Sequence, residues 1–182
     1  NQDYEFRLTA SYPAREFVVQ YKETDLAFVS RLLEHQGVSF FFEHEEGVDI
    51  LVLSDANSGF APVVDKKEVP FKSRGERLGV FALESQTRMT PAQYLVKDYN
   101  YRTPQLALQA SAPNQMGDGG HVMEYGAHFK NPDEGAQIAK IRAEELAASR
   151  TVLDGKSDRH GFSAGAMFLL EDHPRGDMEL LL

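Results

Sequence analysis

The chain has no cysteine in 182 residues, which removes disulfides and thiolate metal sites from consideration. It has no run of about 18 apolar residues, so no segment is suited to crossing a membrane as a helix. The first residues, Asn1-Gln2-Asp3-Tyr4-Glu5, carry neither a basic n-region nor an apolar core of the kind a signal peptide needs. Basic residues are also in deficit. Nineteen Lys and Arg stand against 28 Asp and Glu, a formal charge of −9, which disfavours nucleic acid and anionic membrane as partners. No GxSxG elbow, Walker loop or Rossmann glycine pattern occurs.

What is present is a globular composition, 42% hydrophobic, in a chain long enough to bury a core. The densest signal lies between Arg15 and Leu53. Phe17 to Tyr21 reads as a β-type run. Thr24 is placed to cap a helix over Asp25–Gln36, with Asp25 favourable to the helix dipole. Leu26, Val29, Leu32 and Leu33 recur on one face of that helix, and Gly37 follows at the position of a left-handed stop. A hairpin comes next. Phe40-Phe41-Phe42 lies on its first strand, Glu45-Glu46-Gly47 at its turn and Asp49 to Leu53 on the return. The return strand is apolar on both faces, which predicts cover from two sides. On this reading Phe41, Ile50 and Val52 cannot all face one core.

From Ser54 to Gly79 the pattern dissolves around Pro62, Asp65-Lys66-Lys67-Glu68 and Pro70, a candidate internal boundary. Strands are expected again at Val80–Thr87, Tyr94–Tyr101, Leu106–Ala110 and, more weakly, Val122–Phe129. A second helix is marked by Asn131 as cap, Pro132 at its first position and Glu134 completing a capping box, and extends over Pro132–Ala148. Gly155 to Gly165 reads as loop, Met167 to Leu170 as strand, and Met178 to Leu182 as a strand cut short, which suggests a fragment of a longer protein. The expected class is mainly β (α+β), with short-stranded, barrel-like subdomains and two inserted helices.

Candidate chemistry is thin. His44 with Glu45 and Glu46 lacks the second histidine that a helical zinc motif places four residues on. His121 and His128 are an odd number of residues apart on a strand-like run and point to opposite faces. No pair of carboxylates is selected by spacing. The residue patterns therefore indicate no catalytic residue, no cofactor and no metal ligand.

Four blocks in order carry a family resemblance. Tyr21 followed by Glu23-Thr24-Asp25, then Phe28 to Leu33 with Arg31 and Leu32, Gly37, and Phe41-Phe42-Glu43-His44 with Leu51 to Asp55, form the first. Asp98-Tyr99-Asn100-Tyr101-Arg102-Thr103-Pro104 forms the second. Glu134-Gly135 with Ala139 to Arg142 forms the third, and Gly155 to Asp158 the fourth. The whole resembles the VgrG spike proteins of bacterial type VI secretion and the baseplate hubs of contractile phages. The resemblance implies two hub-like pieces, residues 1–75 and 76–182, the second truncated, within a structural and non-enzymatic trimer. It implies docking on the Hcp tube, and contact with spike tip and effector proteins through regions outside this chain. It further implies assembly in the bacterial cytoplasm and export without a signal peptide on sheath contraction. A prophage tail hub, or a cell-wall hydrolase domain, is the alternative.

Overall fold

A computed structural model describes residues 3–45, 47–63, 67–73, 75 and 78–182. Glu46 of the expected turn, and Asp65 and Lys66 of the expected surface connection, lie outside the described residues. By compactness the chain divides into two units, Asn1–Leu83 with Gly155–Leu182, and Glu84–Asp154. The boundary read between residues 75 and 76 falls inside the first unit, because the C-terminal strands return to pair with strands near residues 61–70. No linear reading of composition detects such a return.

The first unit opens with β1 (Tyr4–Arg7), which had no clear sequence signal, and continues through α1 (Asp25–Gln36), β2 (Ser39–Glu45) and β3 (Val48–Ser54). Strand β3 is central, parallel to β1 and antiparallel to β2. Helix α1 starts where Thr24 predicts, with the Ala27 N–H donating to its side chain at 3.2 Å. It stops where Gly37 adopts φ 68°, a left-handed conformation that side-chain-bearing residues resist. No α1 residue is fully buried: Leu26 is 66% exposed, while Phe28, Leu32 and Leu33 are half-buried. Phe17 to Tyr21 is no strand. The segment has no ladder partner, and without one a β-prone run gains nothing from its propensity.

Two very short strands, β4 (Ala61–Pro62) and β5 (Glu68–Pro70), follow, and β6 (Val80–Thr87) leads out of the first unit. The second unit contains β7 (Gln93–Asp98), β8 (Leu108–Pro113), β9 (His121–Tyr125) and α2 (Pro132–Ala148). Its sheet runs β8-β7-β9, with β8 antiparallel and β9 parallel to β7. Strand β9 ends earlier than expected, because Gly126 and His128 both take positive φ and turn the chain away. Strands β7 and β8 are displaced from Tyr94–Tyr101 and Leu106–Ala110 because Asp98 and Asn100 organise a turn between them.

Helix α2 packs on β7 and β8. Its alanines allow close approach, and Ile138, Ala139 and Ala143 join Val96, Leu108, Ala112, Ala127 and Phe129 in one core. Gly135 sits directly under the Phe129 ring. The opposite sheet face is largely exposed, with Leu95 and Lys97 half-buried. Its positions on β7 are Gln93, Leu95 and Lys97, paired with Pro113, Ser111 and Gln109 on β8. On β9 it carries His121, Met123 and Tyr125.

Strand β10 (Thr151–Ser157) pairs with β6 and runs through Gly155, which the sequence placed in a loop. Gly155 abuts Leu83, so a glycine that signals a turn here marks close strand approach. Strands β11 (Ala166–Glu171) and β12 (Met178–Leu181) finish the first unit, β11 lying antiparallel to β12 and parallel to β4 and β5. Val63, Val69, Val80, Ala166, Phe168 and Leu170 form its main core. The protein is mainly β with two helices, and among the described residues no sheet closes into a barrel.

Gly165 combines φ 80° with a position where an added Cβ would enter the Phe41 ring. Gly165→Ala is expected to destabilise the first unit by about 2 kcal/mol or more, through backbone strain and overpacking together. Urea unfolding of variant and parent, compared at their midpoints, checks this.

Candidate interaction surface

The register of the β1-β3-β2 sheet sorts its side chains. Phe41 lies opposite Val52, Glu43 opposite Ile50, and Glu5 opposite Val52 on the other side. These residues share one face. Phe41 and Val52 are buried, and the Phe41 ring lies 5.5 Å from that of Phe60. Arg7 on this face donates to Glu43 at 2.7 Å and to the Gly59 carbonyl at 3.0 Å, with Glu5 a further partner. The expectation that Phe41, Ile50 and Val52 diverge is therefore corrected. Residues 50 and 52 are two apart on a strand and share a face, and the pairing brings Phe41 to the same side.

The other face carries Phe40 against Leu53 and Phe6, and Phe42 against Leu51 and Tyr4. Two aromatic–Leu–aromatic rows result. Phe6 is 61%, Tyr4 47%, Phe42 46% and Phe40 38% exposed. The rows end at His44, whose Nδ1 lies 2.7 Å from the Asp49 carboxylate, both side chains being exposed. Of the three consecutive phenylalanines, the middle one serves the core and the outer two face outward. Exposed apolar surface of this continuity marks a site of association.

Between β1 and α1 the chain is exposed and without regular structure, yet it is held at both ends. Asp55 accepts hydrogen bonds from the Thr9 and Ala10 N–H groups, the Thr9 hydroxyl and the Tyr12 hydroxyl. Burial pushes the Asp55 carboxyl up, but the backbone and hydroxyl donors outweigh it and hold the group down at about 2. Burial, then the same contact, raises Tyr12 to about 12. At the other end Arg31 makes a forked contact with Glu23, at 2.7 Å, and donates to the Val19 carbonyl at 2.8 Å. Its guanidinium also lies 5.1 Å from the half-buried Phe28 ring. Asp25 accepts from Gln20 at 2.7 Å. Leu32 is half-buried, while Tyr21 is 72% exposed with Lys22 over its ring at 5.3 Å.

In the second unit the signature residues do local structural tasks. Asp98 receives the Tyr99 and Phe129 N–H groups. Glu134 completes the capping box, its N–H donating to Asn131 at 2.9 Å while its carboxylate takes the Lys130 N–H at 2.8 Å. Arg142 bridges Glu145 and Glu124 at 2.9 and 3.5 Å, and Glu124 accepts the Tyr94 hydroxyl. Burial, then Glu124, raises Tyr94 to about 12. Asp118 pairs with Arg150 and takes the Thr90 N–H, which holds its carboxyl below the usual range. Tyr99, Tyr101 and Arg102 stand exposed on the loop after β7, with Arg102 5.7 Å from the Tyr101 ring and Pro104 two residues on. Sequence reasoning missed Asp55 as an anchor and Arg7 as a bridge. The run Leu51-Val52-Leu53-Ser54-Asp55 was visible, but its acidic end has meaning only once Thr9 and Tyr12 fold beside it. Among the described residues no three His, Asp or Glu side chains form a metal-binding group.

A profile of the phage tail baseplate hub (GPD) family matches residues 1–181. The chain belongs to that family. Among curated relatives, the type VI secretion system spike protein VgrG1a of Pseudomonas aeruginosa is 30% identical over 96% of the chain and 28% of its own length. VgrG3 of Vibrio cholerae is 29% identical over 94% of the chain and 18% of its own length. The hub-family chain thus spans roughly a quarter of the curated relatives it matches. Of solved structures, the Escherichia coli c3393 protein has a TM-score of 0.59 at 24% identity, covering 94% of this chain and 34% of that one. That protein is described as a type VI secretion component with similarity to T4 tail proteins gp27 and gp5. The 43 kDa tail protein of prophage MuSo2 from Shewanella oneidensis gives 0.60 at 13% identity, covering 97% and 55%. These likenesses establish a shared hub fold.

Because Asp55 has a lowered pKa when folded, its contribution is complete above the ordinary carboxylate pKa of about 3.9 and fades as pH falls towards 2. Asp55→Asn is expected to lower the melting temperature at pH 7, and the gap to the parent should close by pH 2. Thermal melts of both across that range check it.

Proposed function

We propose that this hub-family chain is a scaffold of a contractile injection machine of the type VI secretion kind. It is part of a homotrimer that joins a needle spike to the Hcp tube, is assembled in the bacterial cytoplasm and is expelled when the sheath contracts. The observation that carries this reading is the outward aromatic face of the β1-β3-β2 sheet, with Phe6 61% and Phe42 46% exposed, while ionisable groups such as Arg7 with Glu43 and Asp55 with Ala10 serve as local braces. Such a face is suited to broad, flat contact rather than to a substrate. Residues 1–75 and 76–182 supply two successive hub pieces in this reading, a division by place in the ring rather than by compactness. The signature residues act as scaffold, with Arg31, Asp98, Glu134 and Arg142 fixing the surfaces. The role is structural and not enzymatic. Spike tip and effector proteins engage regions beyond this chain, and neither nucleic acid nor membrane is a partner. Identity of 30% with a spike protein favours secretion over a prophage tail.

Two neighbouring phenylalanines separate folding from assembly. In the full-length protein, Phe42→Asp places a charge on the outward face and is expected to leave a folded subunit that neither trimerises nor supports Hcp export. Phe41→Asp buries an unpaired carboxylate beside Phe60 and is expected to prevent folding, at a cost of several kcal/mol. Circular dichroism, sedimentation and an Hcp export assay read the three outcomes. Normal trimer and export in Phe42→Asp would remove this face from the assembly. Export that survives deletion of residues 1–182 would overturn the function itself.

A further inference from the structure

The second unit leaves one sheet face uncovered, and its chemistry differs from that of the chain around it. Helix α2 occupies the other face. On the open side Met123 is 55% and Tyr125 71% exposed. No outward position of this sheet is a carboxylate, although the chain has 28 acidic residues and a formal charge of −9. The nearby acids are turned away. Asp98 is occupied by the Tyr99 and Phe129 N–H groups, and Glu124 by Tyr94 and Arg142. The titratable groups at outward positions are Lys97, His121 and the Tyr125 phenol. The loop that follows β7 adds exposed Tyr99, Tyr101 and Arg102, a residue set enriched at the energetic centres of interfaces.

Size decides what fits. Three strands about 4.8 Å apart and about five residues long make a platform of roughly 10 by 17 Å. A standard interface between globular proteins takes roughly 20–30 residues a side, so a second copy of this chain is not matched by so small a face. A helix is about 10 Å wide and rises about 1.5 Å per residue, so three turns cover the platform. A sheet that packs a helix on one face can take a second helix on the other, as layered α/β folds do.

We propose that the outer face of β8-β7-β9 docks an acidic amphipathic helix of another polypeptide. Its apolar stripe lies on Leu95, Met123 and Tyr125, and its carboxylates meet Lys97. Lys97 is the one Lys or Arg among the outward sheet positions, short of the clustered cations that phosphate contacts require, which disfavours nucleic acid on the same platform. This docking is independent of the assembly proposed through Phe42.

The test uses the 182-residue chain and two labelled amphipathic helical peptides with the same apolar stripe. One carries Glu and the other Lys on its polar face, and fluorescence anisotropy reads binding. The Glu peptide is expected to bind, to weaken with added salt, and to lose roughly tenfold in affinity with Lys97→Glu and more with Tyr125→Asp. Both substitutions are at outward positions, and circular dichroism confirms that each variant is folded. The proposal is overturned if the Glu peptide fails to bind, if the Lys peptide binds as tightly, or if neither substitution weakens the Glu peptide. Competition by oligothymidylate that Lys97→Glu abolishes would assign the face to nucleic acid. Self-association in sedimentation that Tyr125→Asp abolishes would assign it to a second copy.

Discussion

The pairing of Phe41 with Val52 is the contact on which the first unit turns. Side chains alternate along a strand, so fixing one pair fixes the face of every residue in the sheet. With Phe41 against Phe60 and under Gly165, Phe40 and Phe42 can only face outward, together with Tyr4 and Phe6. A slip of one residue would bury the outer pair and expose the middle ring. Arg7 guards against the slip. Its ion pair with Glu43 and its bond to the Gly59 carbonyl exist only in the observed register.

Each unit therefore presents a sheet with one face committed and one face open, but the open faces are unlike. That of the first unit is aromatic and nearly without charge, ending at a single His44–Asp49 pair. That of the second mixes Met, Leu and Tyr with basic groups and excludes carboxylates. An aromatic, uncharged face gains from permanent burial, whereas a mixed basic one tolerates water and gains specificity from charge. The assembly proposed above, with its own copies on one side and a different component on the other, would use both kinds.

Several residues that carry the family resemblance are local braces. Arg31 ties Glu23 and the Val19 carbonyl to α1, Glu134 closes the start of α2, and Asp98 holds the Tyr99 and Phe129 backbones. Such bonds hold irregular segments in fixed shape where no sheet ladder can do so. Asp55 does the same for residues 9–12. The exposed surfaces keep their shape because polar groups beneath them leave the backbone few alternatives.

Both helices were legible in the sequence to their terminal residues, because their signals are local. Thr24 and Asn131 cap through side chains three residues from their partners, and Gly37 stops α1 through its own φ. The β6 strand and the triple-Phe hairpin were legible for the same reason, as was the family. What only the tertiary structure decided depends on residues far apart in the chain. Phe17 to Tyr21 has strand propensity but no partner. Gly155 has turn propensity but sits in β10 beside Leu83. Strand β11 closes the first unit by pairing with β4 and β5 about a hundred residues earlier. The choice of which phenylalanine faces inward belongs to this class as well. Periodicity alone separates Phe41 from its neighbours, but the side on which the core lies is set by Phe60 and Gly165, which the hairpin meets only when the chain has folded.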